Sequence, residues 1–527
     1  MCMGILKESV AERTATEAFK SVSQQRWFFS ALGVFVFSMA ANGFAYFNYY
    51  PQHDSINHSL HFAGTWEVSL GRFLLPVWGT VFGDITAPWM IGFLSMITLT
   101  CATFLITDLF QLNSWHLVFL MGGLFSANIT VTEMCASFIY VDAPYLLAFL
   151  LSTLSMYIVI RHPGIPAAVA SALVLSVSMG FYQAYVSTAL LLLLFSVAKD
   201  VLTDRHLIRG SLRKWAVYAL TLLLALVFYV VEYVVSMKWW GVTPADSGNS
   251  PARLLTLPLQ ELFHRLKIAY KCFLDYFYLD NRALGDVFAA ANIVLTVIAA
   301  VLLVCYLVQK KLPLLNHIVL LLLLVMYPVF TLLMGVIMGT SGIYFIISFA
   351  LVMFYPGLLF VITRVKIGEK NVYSGFSILR KMVVVMLAIV LWRNIVFSNG
   401  AYTTQKLLYD RTVSITTRIL DDIDETPGYV MKETPVVVIG TFHQDENLDI
   451  ITTYCDFLSG FHKISTTYTM TFDTFTQLMG YKLNIENDSE VVYRYQGSDA
   501  VQQMPTYPEP GYCQMVEGAL VVKLSQP

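Results

Sequence analysis

Charge is scarce in this chain of 527 residues. Asp, Glu, Lys and Arg together make up 13% of it, about half the roughly 25% of a soluble domain. That scarcity excludes an ordinary soluble enzyme, a disordered chain and a nucleic-acid binder with a basic face. Cysteine is scarce too, with 7 residues and no CxxC pair, so neither a disulfide scaffold nor a structural zinc motif is written here. An H-E-x-x-H pattern, an internal repeat and a low-complexity linker are all missing. What the chain has instead is apolar mass, 57% hydrophobic residues and 14% aromatics, with a mean hydropathy of +0.64. Apolar residues in blocks of about 20 make a polytopic membrane protein.

The blocks are there. The first runs from Trp27 to about Phe47, after a polar leader. It exceeds the 7–15 residues of a signal-peptide core, so it reads as a retained first helix with the N-terminus, residues 1–26, inside. Ten more spans follow, at 88–107, 114–128, 143–160, 165–181, 182–198, 214–237, 285–308, 313–335, 342–363 and 381–398. The stretch 164–198 carries no charge. As one helix it would be about 52 Å long, against a core of about 30 Å, so Gly180 marks the expected break. Basic residues then fall in alternate turns: Arg161, the group from Lys199 to Lys214, Lys310 with Lys311, and the group from Arg364 to Lys381. This is the positive-inside pattern. Eleven spans place the loops 49–88 and 238–284, and everything after 398, outside the cytoplasm.

From Asn399 onward acidic residues outnumber basic ones about two to one, whereas the region before it is net basic. The 399–527 part reads as a small α/β domain, extracytoplasmic by the span count. "KLLYDRTVSITTRILDDID" has helical apolar spacing, "PVVVIG" and "ALVVKL" are short buried strands, and "MPTYPEPG" is a turn segment. Cys455 and Cys513 fall in this disulfide-permissive part, paired or as free thiols. The sequons at Asn128 and Asn487 are of a kind that chance supplies.

Functional groups crowd the first outer loop. Asp54 follows an aromatic run suited to headgroup level, where a carboxylate can act as general base on a hydroxyl. Its plainer reading is a helix N-cap. His53, Asp54, His58 and His61 invite a metal, and such ligands suit zinc or manganese. No second carboxylate stands beside them. No cofactor is called for, and a divalent metal is compatible without being indicated. Arg72 in "SLGRFLLP" and Arg393 in "LWRNIVFSNG" are either phosphate ligands or snorkelling cations. Glu232 lies inside a span, where charge is a functional hint. Asp84, Asp142 and Glu133 are expected where the chain re-enters the membrane, as sugar-flanking carboxylates or as turn and cap residues. Tyr182 and Gln183 lie at the Gly180 break, on the outer side or in an aromatic belt.

Taken in order, "YFNYYPQHDSINH", "SLGRFLLP", "GDITAPW", "YVDAPY", "MGFYQAY", "NGAYTTQKLLYD", "MPTYPEPGY" and "ALVVKL" resemble the serotype-converting O-antigen glucosyltransferases of bacteria and their phages, the glucosyltransferase II family. The resemblance covers nearly the whole chain. It implies a GT-C-like fold in the bacterial inner membrane, with undecaprenyl-phosphate glucose as donor and lipid-linked O-antigen repeat units as acceptor. It also implies a small flippase and a donor-synthesising glucosyltransferase as partners. The essential acidic residue that GT-C-type enzymes carry in the first outer loop matches Asp54. On that reading Arg72 and Arg393 face the leaving phosphate, and Asp84 and Asp142 orient sugar or acceptor. His53, His58, Tyr182 and Gln183 lie around the substrate, and Lys523 contacts it from the outer roof. Glucose comes from the resemblance alone. The rival classes are a transporter or flippase for a lipid-linked glycan, a polymerase or acyltransferase of surface polysaccharide, and an anchored adhesin.

Overall fold

The computed structural model describes residues 2–60, 63–203, 209–245, 258–364, 366–367, 370–441, 454, 457–458 and 469–526. It is 75% helical. Helix α1 (Cys2–Phe47) leads into three short helices of the first loop, α2 (Asp54–Asn57), α3 (Thr65–Ser69) and α4 (Leu75–Phe82). Then come α5 (Pro88–Leu109), α6 (Trp115–Ser126), α7 (Ile129–Ser137), α8 (Ile139–Arg161), α9 (Ile165–Phe181), α10 (Val186–Thr203) and α11 (Arg209–Trp240). The second half has α12 (Leu259–Leu274), α13 (Asp286–Lys310), α14 (Leu314–Thr331), α15 (Leu333–Met338) and α16 (Phe354–Arg364). A hairpin of β1 (Lys366–Ile367) and β2 (Lys370–Asn371) and the turn α17 (Val372–Gly375) precede α18 (Ser377–Glu425).

Nine stretches among the described helices are long and apolar enough to cross a membrane. The expected spans at 165–181 and 342–363 are also apolar and helical, but shorter, over Ile165–Phe181 and Phe349–Arg364. The chain does break after Phe181: Tyr182 is extended, and a 3-10 turn, Gln183–Tyr185, starts the next helix. Packing explains the short α9, which is wedged between α8 and α11. The crossing of α1 on α6 depends on glycine. A Cβ on Gly33 would lie 2.2 Å from the Phe119 carbonyl oxygen, and one on Gly122 would lie 2.8 Å from the Val34 nitrogen. Small residues at such crossings let apolar helices touch where water supplies no driving force.

One expectation about the outer turns does not hold. Residues 129–142 are not an exposed turn. Asn128 accepts from the Thr130 and Val131 N–H groups and so caps a new helix, and all of α7 is buried. Glu133 and Asp142 are therefore fully buried rather than exposed in a turn.

Helix α18 spans 49 residues, about 74 Å, more than twice a hydrocarbon core. It runs through position 399 without interruption. Its last turns pack on a four-stranded sheet of order β4-β3-β6-β5, made of β3 (Pro435–Ile439), β4 (Asn484–Ile485), β5 (Cys513–Val516) and β6 (Ala519–Lys523). Both neighbours of β3 are parallel to it, and β5 runs antiparallel to β6. Alternation along β3 and β6 sorts the two faces. Val436, Val438, Leu520 and Val522 meet Ile419 and Ile423 of α18 together with Phe472 of α19 (Thr469–Leu478). Val437, Ile439 and Val521 meet Tyr495 and Val501 of α20 (Ser489–Gln496) and α21 (Asp499–Gln503). Cys455 lies outside the described residues. The Cys513 thiol is free, 3.5 Å from the Thr426 hydroxyl.

Candidate active site

The bundle has two polar ends. At one, Asp108 joins Arg26, Arg161 and the Tyr157 hydroxyl, and Lys199 lies within electrostatic range of Arg161, Lys214 and Arg364. The basic clusters of the alternate turns thus converge. The first loop lies at the other.

There, α2 docks on the break between α7 and α8. The Ser55 hydroxyl donates to the Ser137 carbonyl at 2.9 Å and accepts from the Ile139 N–H at 3.1 Å. Asp54 opens α2. Before it, His53 has φ 44°, a left-handed conformation that a side-chain-bearing residue holds only when its surroundings impose it. The turn brings the His53 Nδ1 to 2.7 Å from the Asp54 carboxylate. Burial pushes the Asp54 carboxyl up, but the His53 hydrogen bond and the charges of His53, His58 and Arg72 outweigh it and leave the group below its usual value.

Arg72 comes from the α3–α4 corner, and its place is dictated by Gly71 at φ 84°. The Gln183 amide donates to the Leu70 carbonyl at 3.0 Å, and the Tyr229 hydroxyl to the Gly71 carbonyl at 3.2 Å. A Cβ on Gly71 would sit 2.2 Å from that hydroxyl. Leu74 N–H donates to the Gly180 carbonyl, tying the corner to the end of α9. The guanidinium then lies 4.9 Å over Tyr182, which stacks on Tyr145 at 3.8 Å and 5°. Burial alone would lower the Arg72 pKa, but Tyr145, Tyr182, Tyr140 and the Glu67 carboxylate reverse the sign. Arg72 is a fixed cation whose buried Nε makes no hydrogen bond among the described residues.

Glu67, buried, accepts from the Gly64 N–H at 2.7 Å and faces His58 Nε2 at 3.6 Å. His58 stacks on Tyr140 at 4.0 Å. The site so far is an ionised carboxylate and a cation with an unfilled donor, held by aromatic rings. That pairing suits transfer of a group away from phosphate.

The Glucosyl transferase GtrII family model matches residues 43–361, well over half of the chain and the whole of this cluster. The chain belongs to the GtrII glucosyl transferase family. No curated protein and no solved structure matches it.

Of the residues singled out in the sequence, this GtrII member brings His53, Asp54, His58, Arg72, Tyr182 and Gln183 together. Tyr182 and Gln183 serve Arg72 from behind. Asp84 is exposed between α4 and α5. Asp142 is buried in α8 and accepts from the Ser95 hydroxyl at 2.7 Å. Arg393 donates to the Leu284 carbonyl at 2.7 Å, closing the turn before α13. Glu232 accepts from Ser176 across the α9–α11 packing at 2.9 Å. Lys523 is buried in β6, and all three of its ammonium hydrogens are spent on the Val501, Gln502 and Met504 carbonyls at the end of α21. His61 lies outside the described residues. Among the described residues no group of three or more His, Cys, Asp and Glu could hold a metal ion.

Glu67, Tyr140, Tyr145 and Tyr229 were not singled out in the sequence. Glu67 carried a signal, a carboxylate three residues after Gly64 at a helix start. Tyr229 and Tyr233, four apart on one face of their span, carried another.

Proposed function

We propose that this protein moves glucose from undecaprenyl-phosphate glucose to lipid-linked O-antigen repeat units, on the periplasmic face of the bacterial inner membrane. The observation that carries the reading is the Asp54–Arg72 cluster, gathered at the bundle end opposite the converged basic turns. By the positive-inside tendency the basic end is cytoplasmic, which puts the N-terminus there and the cluster and the sheet-bearing tail outside. Donor made on the inner face needs a synthesising glucosyltransferase and a flippase to reach it. A lipid-linked donor is also why a transferase carries this many spans.

In the reaction the acceptor hydroxyl oxygen forms a bond to glucose C1 as the C1–phosphate oxygen bond breaks. The phosphate leaves with the electron pair, and the hydroxyl proton goes to Asp54. Direct displacement inverts the anomeric centre. Arg72 is placed to take a phosphate oxygen on its open Nε as charge develops there. Asp54, held acidic, is a weak base for a free hydroxyl. Its proton transfer is therefore late, when the acceptor oxygen is already bonded to C1 and sheds its proton readily. Before that it orients the hydroxyl. Exposed Asp84 is placed to meet the acceptor, while Asp142, Arg393 and Lys523 hold the scaffold.

Purified protein in lipid nanodiscs, given undecaprenyl-phosphate carrying radiolabelled glucose and a panel of lipopolysaccharides, tests this. Wild type moves label into polysaccharide, and Asp54→Asn loses about 10²–10⁴-fold. A donor left intact by well-folded wild type, with every acceptor, would sink the reading and favour the transporter.

A further inference from the structure

The motif "NGAYTTQKLLYD" lies beyond the family match, on the outward half of α18, and the chemistry above leaves it without a task. Its polar and aromatic residues fall three and four apart, which puts them on one helix face. Asn399 donates to the Ala40 carbonyl at 3.0 Å and Tyr402 to the Asn42 amide oxygen at 2.8 Å, both at the outer end of α1. Gln405 is buried and spends both amide hydrogens, one on the Tyr50 carbonyl at 2.6 Å and one on the Ala136 carbonyl at 2.7 Å. Tyr409 meets the Tyr50 ring at 5.2 Å and Phe475 of α19 at 5.6 Å, and α19 itself packs against α2.

This face therefore grips the segment that leads to Asp54. Gln405 fixes Tyr50 to the end of α7, four residues before the carboxylate. Ser55 fixes the residue after it to the same α7–α8 break. Asp54 hangs between two anchors, and one of them belongs to α18. We infer that Gln405 is a positioning residue for the transfer reaction: through the Tyr50 and Ala136 carbonyls it sets where Asp54 stands relative to the bundle. The inference rests on Asp54 as the reacting carboxylate. A shift of about 1 Å in such a group costs on the order of a hundredfold in rate, and a single amide bridging two carbonyls has no slack to share.

Gln405→Glu and Gln405→Leu remove the donors at nearly constant volume. In the nanodisc assay at about pH 7 both are expected to lower kcat about ten- to hundredfold and leave the donor KM within about twofold. Lowering the pH to about 5 puts a proton back on the introduced glutamate and restores one of the two hydrogen bonds. Gln405→Glu then recovers part of its loss and Gln405→Leu does not. Exposed Thr403→Ala, on the opposite face, keeps wild-type turnover. Independently of activity, amide hydrogen exchange across residues 48–57 rises in both variants, while exchange in β3 and β6 stays as it was. A folded Gln405→Glu with wild-type kcat and unchanged exchange across 48–57 overturns the inference. So does equal acid recovery in the leucine variant, or a loss that appears in KM and in whole-chain stability. If the leucine variant does not fold, the glutamate variant decides alone. Active Asp54→Asn would remove the reading beneath the inference. Inert Asp54→Asn beside active Gln405→Glu would remove the inference only.

Discussion

The two ends of the bundle use charge in opposite ways. At the end where the basic turns gather, the central acid is saturated. Asp108 takes Arg26 on one oxygen and Arg161 and Tyr157 on the other, and Arg26 also holds Asn113. Lys214 lies 2.9 Å from Asp200, which also accepts from Trp215. At the end that bears Asp54, charges are held without being used up. Arg72 is pinned by its backbone and by two rings, yet its buried Nε has no acceptor among the described residues. Asp54 is hydrogen-bonded on one side and still more than a third exposed. Saturated charges tie helices together. A charge that is fixed in place but unsaturated keeps an interaction in reserve for a ligand, and that difference, more than the number of charges, separates scaffold from site.

The two largest expected effects are of similar size, one at each end. Asp108→Ala strands two arginines, one of them buried, and is expected to cost about 3 kcal/mol of stability, with little loss of transfer per folded molecule. Thermal unfolding in nanodiscs beside an active-fraction assay checks this. A variant as stable as wild type would show that the acid is not the tie it looks to be. Arg72→Gln should do the reverse. Transfer falls about 10²–10³-fold, the worth of one oxyanion donor, while the melting temperature scarcely moves. Equal damage to stability and turnover at Arg72 would erase the contrast between the ends.

Gly71→Ala sharpens it further, because it changes no charge. The new methyl meets the Tyr229 hydroxyl and forces a left-handed backbone to carry a Cβ. Turnover is expected to fall about tenfold through displacement of Arg72. Tyr229→Phe in the same chain clears only the hydroxyl and should recover part of that loss. If the double variant is no better than Gly71→Ala, the backbone strain and the Gln183 amide, 2.6 Å from the new Cβ, matter rather than the hydroxyl.

How much of this was legible in the sequence follows from what each feature depends on. Apolar run length depends on local composition, so among the described residues nine of the expected stretches overlap segments long and apolar enough to cross a membrane, and the other two overlap shorter apolar helices. The break after Phe181 was legible for the same reason, since no single helix of that length fits the core. The small sheet was legible from "PVVVIG" and "ALVVKL", because a fully buried strand is written as an unbroken apolar run. The burial of Glu133 and Asp142 was not, because it depends on the Asn128 cap and on Ser55 reaching across from another segment. Asp54 and Arg72 stood out by residue type. Glu67, Tyr145 and Tyr229 did not, since their place beside Arg72 is set by a turn that three separate helices close. Helix α18 hides its role for the opposite reason. Its outward half has ordinary amphipathic spacing, and only contacts with α1 and α7 show which residues grip the loop.

The smallest expected effect is a shift in a pH profile, and it bears most directly on the unsaturated end. Asp54 lies below its usual value because the His53 hydrogen bond and nearby positive charge together exceed the cost of burial. A group lowered in this way stays ionised at neutral pH and is lost only as the pH falls through the lowered value. The acid limb of kcat/KM should therefore lie below the ordinary aspartate range of about 3.9. His53→Gly removes the imidazole and keeps a backbone that suits φ 44°, so it isolates the hydrogen bond from the fold of the turn. With that bond gone, burial counts for more and the Asp54 value rises. The acid limb then moves to higher pH while the plateau near neutrality falls only modestly. The nanodisc assay run from about pH 2 to about pH 7 reads both. A limb unchanged in His53→Gly would mean that Asp54 is not the group whose ionisation the reaction needs. The carboxylate partner would then have to be sought in Glu67, the buried acid of the loop.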